Sequence, residues 1–378
     1  MQLLSDEHPL IIVVGSGGVG KTTLAAALGI ASARAGRDTL VMTFDPSLRL
    51  KQALGVGEEA REREVPVGLE ALGALHAHLL DARRTFDRLI ERYAPDPEAR
   101  RRVLDNRFYR QLSGSLGGIL EYMAVERLYE VASEGRYAQV VLDTPPTRQA
   151  LDFLEAPGRI VGFLDSGALK LALRPWFDES GRLKAAARWG GLGRRAERFL
   201  DEVVGLDLLR DMAEFFQAFA PLYGGFRERA VEVEALLRSP RTLFVLVAGP
   251  GEEKIPDALF FARRLEQAGY RLGPILVNRV HPRARRPPPS APSAPSEQPG
   301  GGDPCHPQGA HLLAWLGERD GRGLVELRKL LSPRRPLLDL PLRPDEPTDL
   351  AALGEIGNEV VRRLATAPDA SPAPAQPG

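Results

Sequence analysis

A chain of 378 residues, 43% apolar and 26% charged, can bury a large core, which excludes a fibrous or wholly disordered protein. Lys plus Arg (50) equals Asp plus Glu (50), so no global field draws nucleic acid or an anionic membrane; only a local patch could. The single cysteine, Cys305, excludes an intrachain disulfide and fits a reducing compartment.

Met1 to His8 is polar, and the apolar run Leu10–Val14 is too short for a secretory core. No stretch reaches the roughly 18 apolar residues of a membrane span, so the expectation is a cytoplasmic protein. Leu10–Val14 reads as a buried strand, and alanine-rich Leu24–Arg34 reads as a helix. Between them lies Gly15-Ser16-Gly17-Gly18-Val19-Gly20-Lys21-Thr22-Thr23, with the Gly-x4-Gly-Lys-Thr spacing of a phosphate-binding loop. Glycines at that spacing let successive backbone N–H groups face a polyphosphate at a helix N-terminus. Lys21 would reach the β- and γ-phosphates, and Thr22 would hold Mg²⁺.

Thr39–Phe44 is a second strand that delivers Asp45-Pro46 to the carboxyl edge of a parallel sheet, where ligands of such sheets sit. Glu58–Val65 is charged and reads as a solvated loop. Ala74–Leu80 alternates like a strand, and Asp81 caps a helix through Arg92. His76 and His78 share one strand face, where packing under a helix is favoured over metal ligation. Pro97–Glu134 is mostly helical, interrupted near Ser113–Ser115 and Gly117–Gly118. Gln139–Leu142 is a central strand ending in Asp143-Thr144-Pro145-Pro146-Thr147; an acidic residue there, opposite a phosphate loop, orders Mg²⁺ directly or through water.

Residues 158–239 depart from an ordinary nucleotide-binding core. Leu208, Leu209, Met212, Phe215, Phe216, Phe219, Leu222, Tyr223 and Phe226 form an apolar stripe at helical spacing. The stripe packs a helical subdomain or dimer interface, or lines a groove for an apolar client; packing is the preferred reading. Trp176, Phe177 and Trp189 are candidates for an exposed apolar segment. The sheet resumes with strands Thr242–Val247 and Gly273–Val277, a helix Pro256–Gln267 between them, and Asn278-Arg279 after the second. Residues 282–309 are rich in Pro, Gly, Ser and Arg and read as a disordered loop. Cys305, His306 and His311 lack the spacing of a zinc site. A helix to Leu331, a strand Pro336–Leu340, a helix Thr348–Leu364 and a disordered tail, 366–378, complete the chain.

The expected fold class is α/β: a P-loop NTPase with a mostly parallel sheet flanked by helices and a helical insertion subdomain. The core is placed at 1–157, including the helical segment 97–134, and resumes at 240–365. The insertion, at 158–239, is a client or dimer surface.

With these residues assembled, the chain resembles the arsenite-transporting and tail-anchored-protein-targeting ATPase family, within the wider class of dimeric P-loop ATPases. The resemblance rests on the P-loop, on Phe44-Asp45-Pro46-Ser47-Leu48-Arg49-Leu50 as first switch and on Leu142-Asp143-Thr144-Pro145-Pro146-Thr147 as second. It also rests on Glu121-Tyr122-Met123-Ala124, Val277-Asn278-Arg279, and Pro341-Leu342 with Glu346-Pro347 and Leu350.

The resemblance implies ATP and Mg²⁺ as cofactors, Asp45 positioning the attacking water, Asp143 supporting Mg²⁺ through water, and Asn278 reading adenine. Backbone around Pro341–Asp345 would close over the base, and Arg49 or Arg148 would supply charge in the transition state. It further implies a homodimer or a heterodimer with a paralogue, ATP-driven work in membrane-protein targeting or transport, an apolar protein client and peripheral membrane contact. Ser16 stands where many members carry a second lysine that reaches the partner subunit's phosphates. A non-hydrolysing, ATP-binding partner subunit is therefore an alternative reading. A third is a DNA-associated partitioning ATPase, for which the candidate patch is Arg182–Arg198 with its six basic residues. One cysteine builds neither an arsenite site nor a shared iron–sulfur cluster, and no Cys-x-x-Cys pair is present for a zinc-bridged dimer.

Overall fold

The apolar run Leu10–Gly15 is buried at every position and forms the strand β1 on which the rest of the sheet is built. We describe the fold from a computed structural model, whose described residues are 3–43, 49–94, 96–107, 109, 119–145, 154–159, 161–162, 211, 214–215, 218, 223–283, 307–331 and 335–366. The remaining strands are β2 (Thr39–Thr43), β3 (Val65–Pro66), β4 (Leu75–Leu79), β5 (Gln139–Asp143), β6 (Thr242–Ala248), β7 (Leu272–Val280) and β8 (Leu337–Pro341). They form one eight-stranded sheet in the order β3-β4-β2-β5-β1-β6-β7-β8.

From β2 through β8 the neighbours pair in parallel, with β1 between β5 and β6. β3 is antiparallel to β4. Strands covered on both faces need continuous apolar runs rather than alternation, which Ile11-Ile12-Val13-Val14 and Leu243–Val247 supply. β3 corrects the solvated-loop reading of Glu58–Val65: a 3₁₀ turn, Glu58–Arg61, precedes it, and Val65 pairs with Ala77 at the sheet edge. Pro66 is tolerated there because an edge position has no second neighbour to serve.

The first helix, α1 (Lys21–Arg34), begins at Lys21, three residues before the alanine-rich run. Leu24 through Ala33 are all buried, because the helix is covered on more than one side. A Cβ on Gly357 of the C-terminal helix, Leu350–Thr366, would lie 2.2 Å from the Ala27 carbonyl oxygen, so the two backbones approach at small residues. Alanines serve both helix propensity and this close packing.

Contacts within the chain group into two units. The sheet unit comprises Met1–His78, Tyr137–Thr147 and Pro240–Gly378; the helical unit comprises Leu79–Arg136 and Arg148–Ser239. Leu79–Arg136 therefore groups with the helices rather than with the nucleotide-binding core expected from sequence. The reason is a shared core: Phe86, Leu89, Ile90, Tyr109, Tyr122 and Met123 pack with Phe215 and Phe226. Phe86 meets Phe226 at 6.0 Å between ring centroids, and Tyr109 meets Phe215 at 6.1 Å.

Asp81 caps the helix Ala82–Tyr93 by accepting from the Arg84 N–H at 3.1 Å, and Asp96 caps Pro97–Leu104. Phe215 and Phe226 of the apolar stripe are thus core; Leu208, Leu209, Met212, Phe216, Phe219 and Leu222 lie outside the described residues. So do Trp176, Phe177, Trp189 and the stretch Arg182–Arg198.

Between β7 and β8 the described chain resumes with the helix Pro307–Leu331, which starts inside the stretch read as loop; 284–306, with Cys305 and His306, are outside the described residues. His76 packs edge-on against the Tyr137 ring at 5.5 Å, and His78 is buried. Among the described residues no helix is long and apolar enough to cross a membrane.

Candidate nucleotide-binding site

β1 ends at Gly15 and α1 begins at Lys21, so residues 15–20 form the connecting loop at the carboxyl edge of the sheet. Gly20 is the N-cap of α1 with φ 92°, a left-handed conformation that an L-residue adopts at a cost of roughly 1–2 kcal/mol. A Cβ there would also sit 2.4 Å from Nδ2 of Asn278. Glycine at this position lets the loop turn and lets a neighbouring strand approach it.

Ser16 is buried, and its carbonyl accepts a 2.9 Å hydrogen bond from Lys21 Nζ, which holds the lysine back over its own loop. Gly17 and Gly18 are exposed at the loop tip, and Val19 is buried beneath them.

The second element is the end of β5. Asp143 is fully buried, and its Oδ2 accepts from Thr22 Oγ1 at 2.8 Å and from Thr43 Oγ1 at 3.0 Å. Parallel register places Asp143 beside both Val13 and Thr43, which is why residues from β1, β2 and β5 converge here. Thr144 continues the strand end by donating its side-chain Oγ1–H to the Val13 carbonyl at 2.8 Å. Thr22 and Thr43 each give the hydroxyl proton to the Asp143 carboxylate and keep their lone pairs. The set is all oxygen, the donor type that hard divalent cations such as Mg²⁺ take. The residues present therefore fit Mg²⁺, with Thr22 and Asp143 as those that would hold it.

The third element is β7, which runs three residues past the expected Val277 end, to Val280. Asn278 Nδ2 donates to the Val19 carbonyl at 2.9 Å, and Arg279 Nη1 donates to the Gly18 carbonyl at 3.2 Å. Asn278 and Arg279 also line a cavity of about 380 Å³ together with Thr23, Leu340, Pro341, Leu342, Arg343 and Glu359. That volume is in the range of small-molecule sites. A larger cavity, about 910 Å³, lies along Pro307–Leu331 and is walled by Glu252, Arg283 and Arg322, with no phosphate-loop residue in its lining. Chemistry rather than size selects the smaller one.

Behind this strand end, fully buried Asp320 accepts from the His281 backbone N–H at 3.0 Å and engages His281 Nδ1 at 2.7 Å and Arg319 Nη2 at 2.9 Å. Burial pushes its carboxyl upward in pKa, but the hydrogen bonds from His281 and Arg319 outweigh it and hold Asp320 below the usual aspartate value.

The structure thus brings Gly15, Gly17, Gly18, Val19, Gly20, Lys21, Thr22 and Asp143 together, and Thr23, Asn278 and Pro341 into one adjoining cavity. Asp45, Arg148 and the side chain of Arg49 lie outside the described residues. Sequence alone does not assign site roles to Arg279, Thr43 and Asp320. Thr43 was findable as the last residue of the strand before Asp45; the others depend on register and tertiary contact.

A family model described as anion-transporting ATPase matches residues 8–185, a span that carries the phosphate loop, Thr43 and Asp143. Over that span the chain matches the anion-transporting ATPase family. It is 30% identical over 182 residues to a putative arsenical pump-driving ATPase of Halobacterium salinarum, covering 45% of this chain and 27% of that protein. It is 26% identical over 238 residues to ATPase GET3 of Zygosaccharomyces rouxii, covering 58% of this chain and 67% of that one. With ATPase get3 of Aspergillus terreus the identity is 32% over 152 residues, covering 39% and 42%. The match thus spans about a quarter of the haloarchaeal relative and two thirds of the yeast one. Members of this anion-transporting ATPase family bind ATP, and the α/β fold with its eight-stranded, mostly parallel sheet is consistent with theirs.

Proposed function

We propose that this protein is a Mg²⁺-dependent ATP hydrolase that works as a dimeric switch in membrane-protein targeting or transport. The observation that carries the reading is the convergence of Thr22 and Thr43 on one buried carboxylate oxygen of Asp143, next to Lys21 and the glycine loop.

The loop amides and the α1 N-terminus bind the phosphates of ATP, and Lys21 leaves the Ser16 carbonyl for the β- and γ-phosphates. Mg²⁺, when bound, would supply positive charge to offset that of the polyphosphate. Thr22 would hold it through a hydroxyl lone pair, while Asp143 fixes the Thr22 rotamer and would supply the compensating negative charge. Asp45 orients the attacking water. Asn278 holds the base edge, with Pro341 and its neighbours closing the cavity. Closure on ATP and release after hydrolysis would then set the state of the helical unit. Family resemblance supports an apolar protein client and contact with a membrane surface.

One observation favours a second reading. Ser16 is buried and uncharged where a cross-dimer lysine is expected. A chain lacking that charge could bind ATP without turning it over and complete the site of an active paralogue.

Steady-state ATP hydrolysis with Mg²⁺, measured over a range of protein concentrations for the wild type, Asp45→Asn and Lys21→Ala, separates the two. Specific activity that rises with protein concentration and vanishes in both variants supports a self-sufficient dimeric ATPase. ATP binding with no turnover at any concentration overturns it and supports the partner-subunit reading.

A further inference from the structure

Successive side chains of a strand point to opposite faces of the sheet. Asn278 and Arg279 are successive residues of β7, yet both side chains reach the same six-residue loop, at the adjacent carbonyls of Val19 and Gly18. Two backbone features account for it. Arg279 has φ 63° and is the one non-glycine residue with positive φ among those described. The β7–β8 pairing also shifts register between Val277 and Val280, so the irregularity spans these two residues. A bulge of this kind re-aims a side chain and is common beside active sites. Here it turns Arg279 to the side that Asn278 already occupies. A residue in this conformation would be glycine if only the turn mattered; the chain keeps a cation, and the guanidinium lines the cavity beside the phosphate loop.

We infer that Arg279 is a positioning residue for nucleotide binding: with Asn278 it ties the base cavity to the phosphate loop, and its guanidinium sets the loop's shape before the polyphosphate arrives. The inference rests on the nucleotide-binding reading above. Among the described residues the guanidinium spends one of its five donors, on Gly18, which leaves others for the anionic or ribose side of the ligand. Because the tie lies on the binding path and not at the reacting phosphorus, its loss weakens affinity for ATP and ADP alike and leaves kcat nearly untouched.

The test uses Arg279→Gly, which keeps the backbone conformation and removes the tie, and Arg279→Lys, which keeps the charge without the planar fork. The dissociation constants of Mg-ATP and Mg-ADP, the melting temperature without nucleotide, and hydrogen exchange of the Gly17–Lys21 amides without nucleotide are measured for each. Expected are a roughly tenfold weaker affinity for both nucleotides in Arg279→Gly, a smaller loss in Arg279→Lys, an unchanged melting temperature, and faster exchange of the loop amides.

Affinities within twofold of wild type in Arg279→Gly overturn the inference, as does a lowered melting temperature with affinity intact. If the wild type binds no nucleotide, the nucleotide reading falls separately. The exchange rates then still judge the tie: unchanged loop protection in Arg279→Gly overturns it.

Discussion

Thr22 and Asp143 are 121 residues apart in sequence and share a 2.8 Å hydrogen bond at the carboxyl edge of the sheet. Thr43 joins the same oxygen at 3.0 Å. Asp143→Ala leaves both hydroxyls without this acceptor, at a cost of about 1–3 kcal/mol of stability. Asp143→Asn keeps an acceptor oxygen and removes the charge. The expectation for Asp143→Asn is a near-wild-type denaturation midpoint, Mg-ATP affinity at least tenfold weaker, and ATP affinity in EDTA unchanged. Titrations with and without Mg²⁺ check it; equal losses in both conditions would show that the carboxylate does not act through the ion.

Glycine 20 and glycine 18 provide a matched pair. Both have left-handed backbone, φ 92° and φ 77°. A Cβ on Gly20 would displace the Asn278 side chain from its bond to Val19, whereas a Cβ on Gly18 meets nothing within 4 Å. Gly18→Ala should therefore cost only backbone strain, roughly 1–2 kcal/mol. Gly20→Ala should cost that plus the lost hydrogen bond, about 1 kcal/mol more, together with most of the nucleotide affinity. Urea denaturation and nucleotide titration of the two variants provide the comparison, and equal losses would argue against the Asn278 contact.

What could be read in advance follows from how local each feature is. The phosphate loop is set by its own backbone, so the spacing from Gly15 to Thr22 sufficed. Asp143 was legible because an apolar strand, Val140–Leu142, ends on it. β3 escaped because two residues inside a charged segment carry no periodicity. The turn of Arg279 toward the loop escaped because it depends on a register shift against β8, and the pinning of His281 by Asp320 escaped because it depends on a helix residue 39 positions away in sequence. The grouping of 79–136 with the helical unit escaped because helical periodicity states that a face is buried but not against what.

Asp320 makes the end of β7 sensitive to acid. Its carboxyl is held below the usual value in the folded protein, so its stabilisation is full above the unfolded pKa, about 4, and is lost as pH falls through that value toward the lower folded one. Asp320→Asn should cost about 1–3 kcal/mol at pH 7 and flatten the fall in stability between about pH 5 and pH 3. Denaturant midpoints across that window check it; an Asn variant as acid-sensitive as the wild type would place the titrating group elsewhere.

In the helical unit, Glu126 and Arg229 form a buried ion pair at 2.6 Å between residues 103 apart in sequence. Tyr122 donates to the other Glu126 oxygen at 3.3 Å, and the Arg229 guanidinium lies 4.0 Å over the Tyr129 ring. Burial raises the Glu126 pKa, and Arg229 opposes that rise. Arg229→Met removes the opposition, so the folded pKa climbs further. A carboxyl raised in this way favours folding below its unfolded pKa, and that advantage is lost as pH rises toward the folded value. The variant should lose about 3–5 kcal/mol at pH 8 and clearly less at pH 5. The double variant Glu126→Gln, Arg229→Met removes both charges and should recover most of the loss, since a matched neutral pair carries little desolvation cost. Urea denaturation of both variants at the two pH values decides. A pH-independent loss in Arg229→Met, unrelieved by the second substitution, would mean that the arginine stabilises through packing on Tyr129 rather than through Glu126.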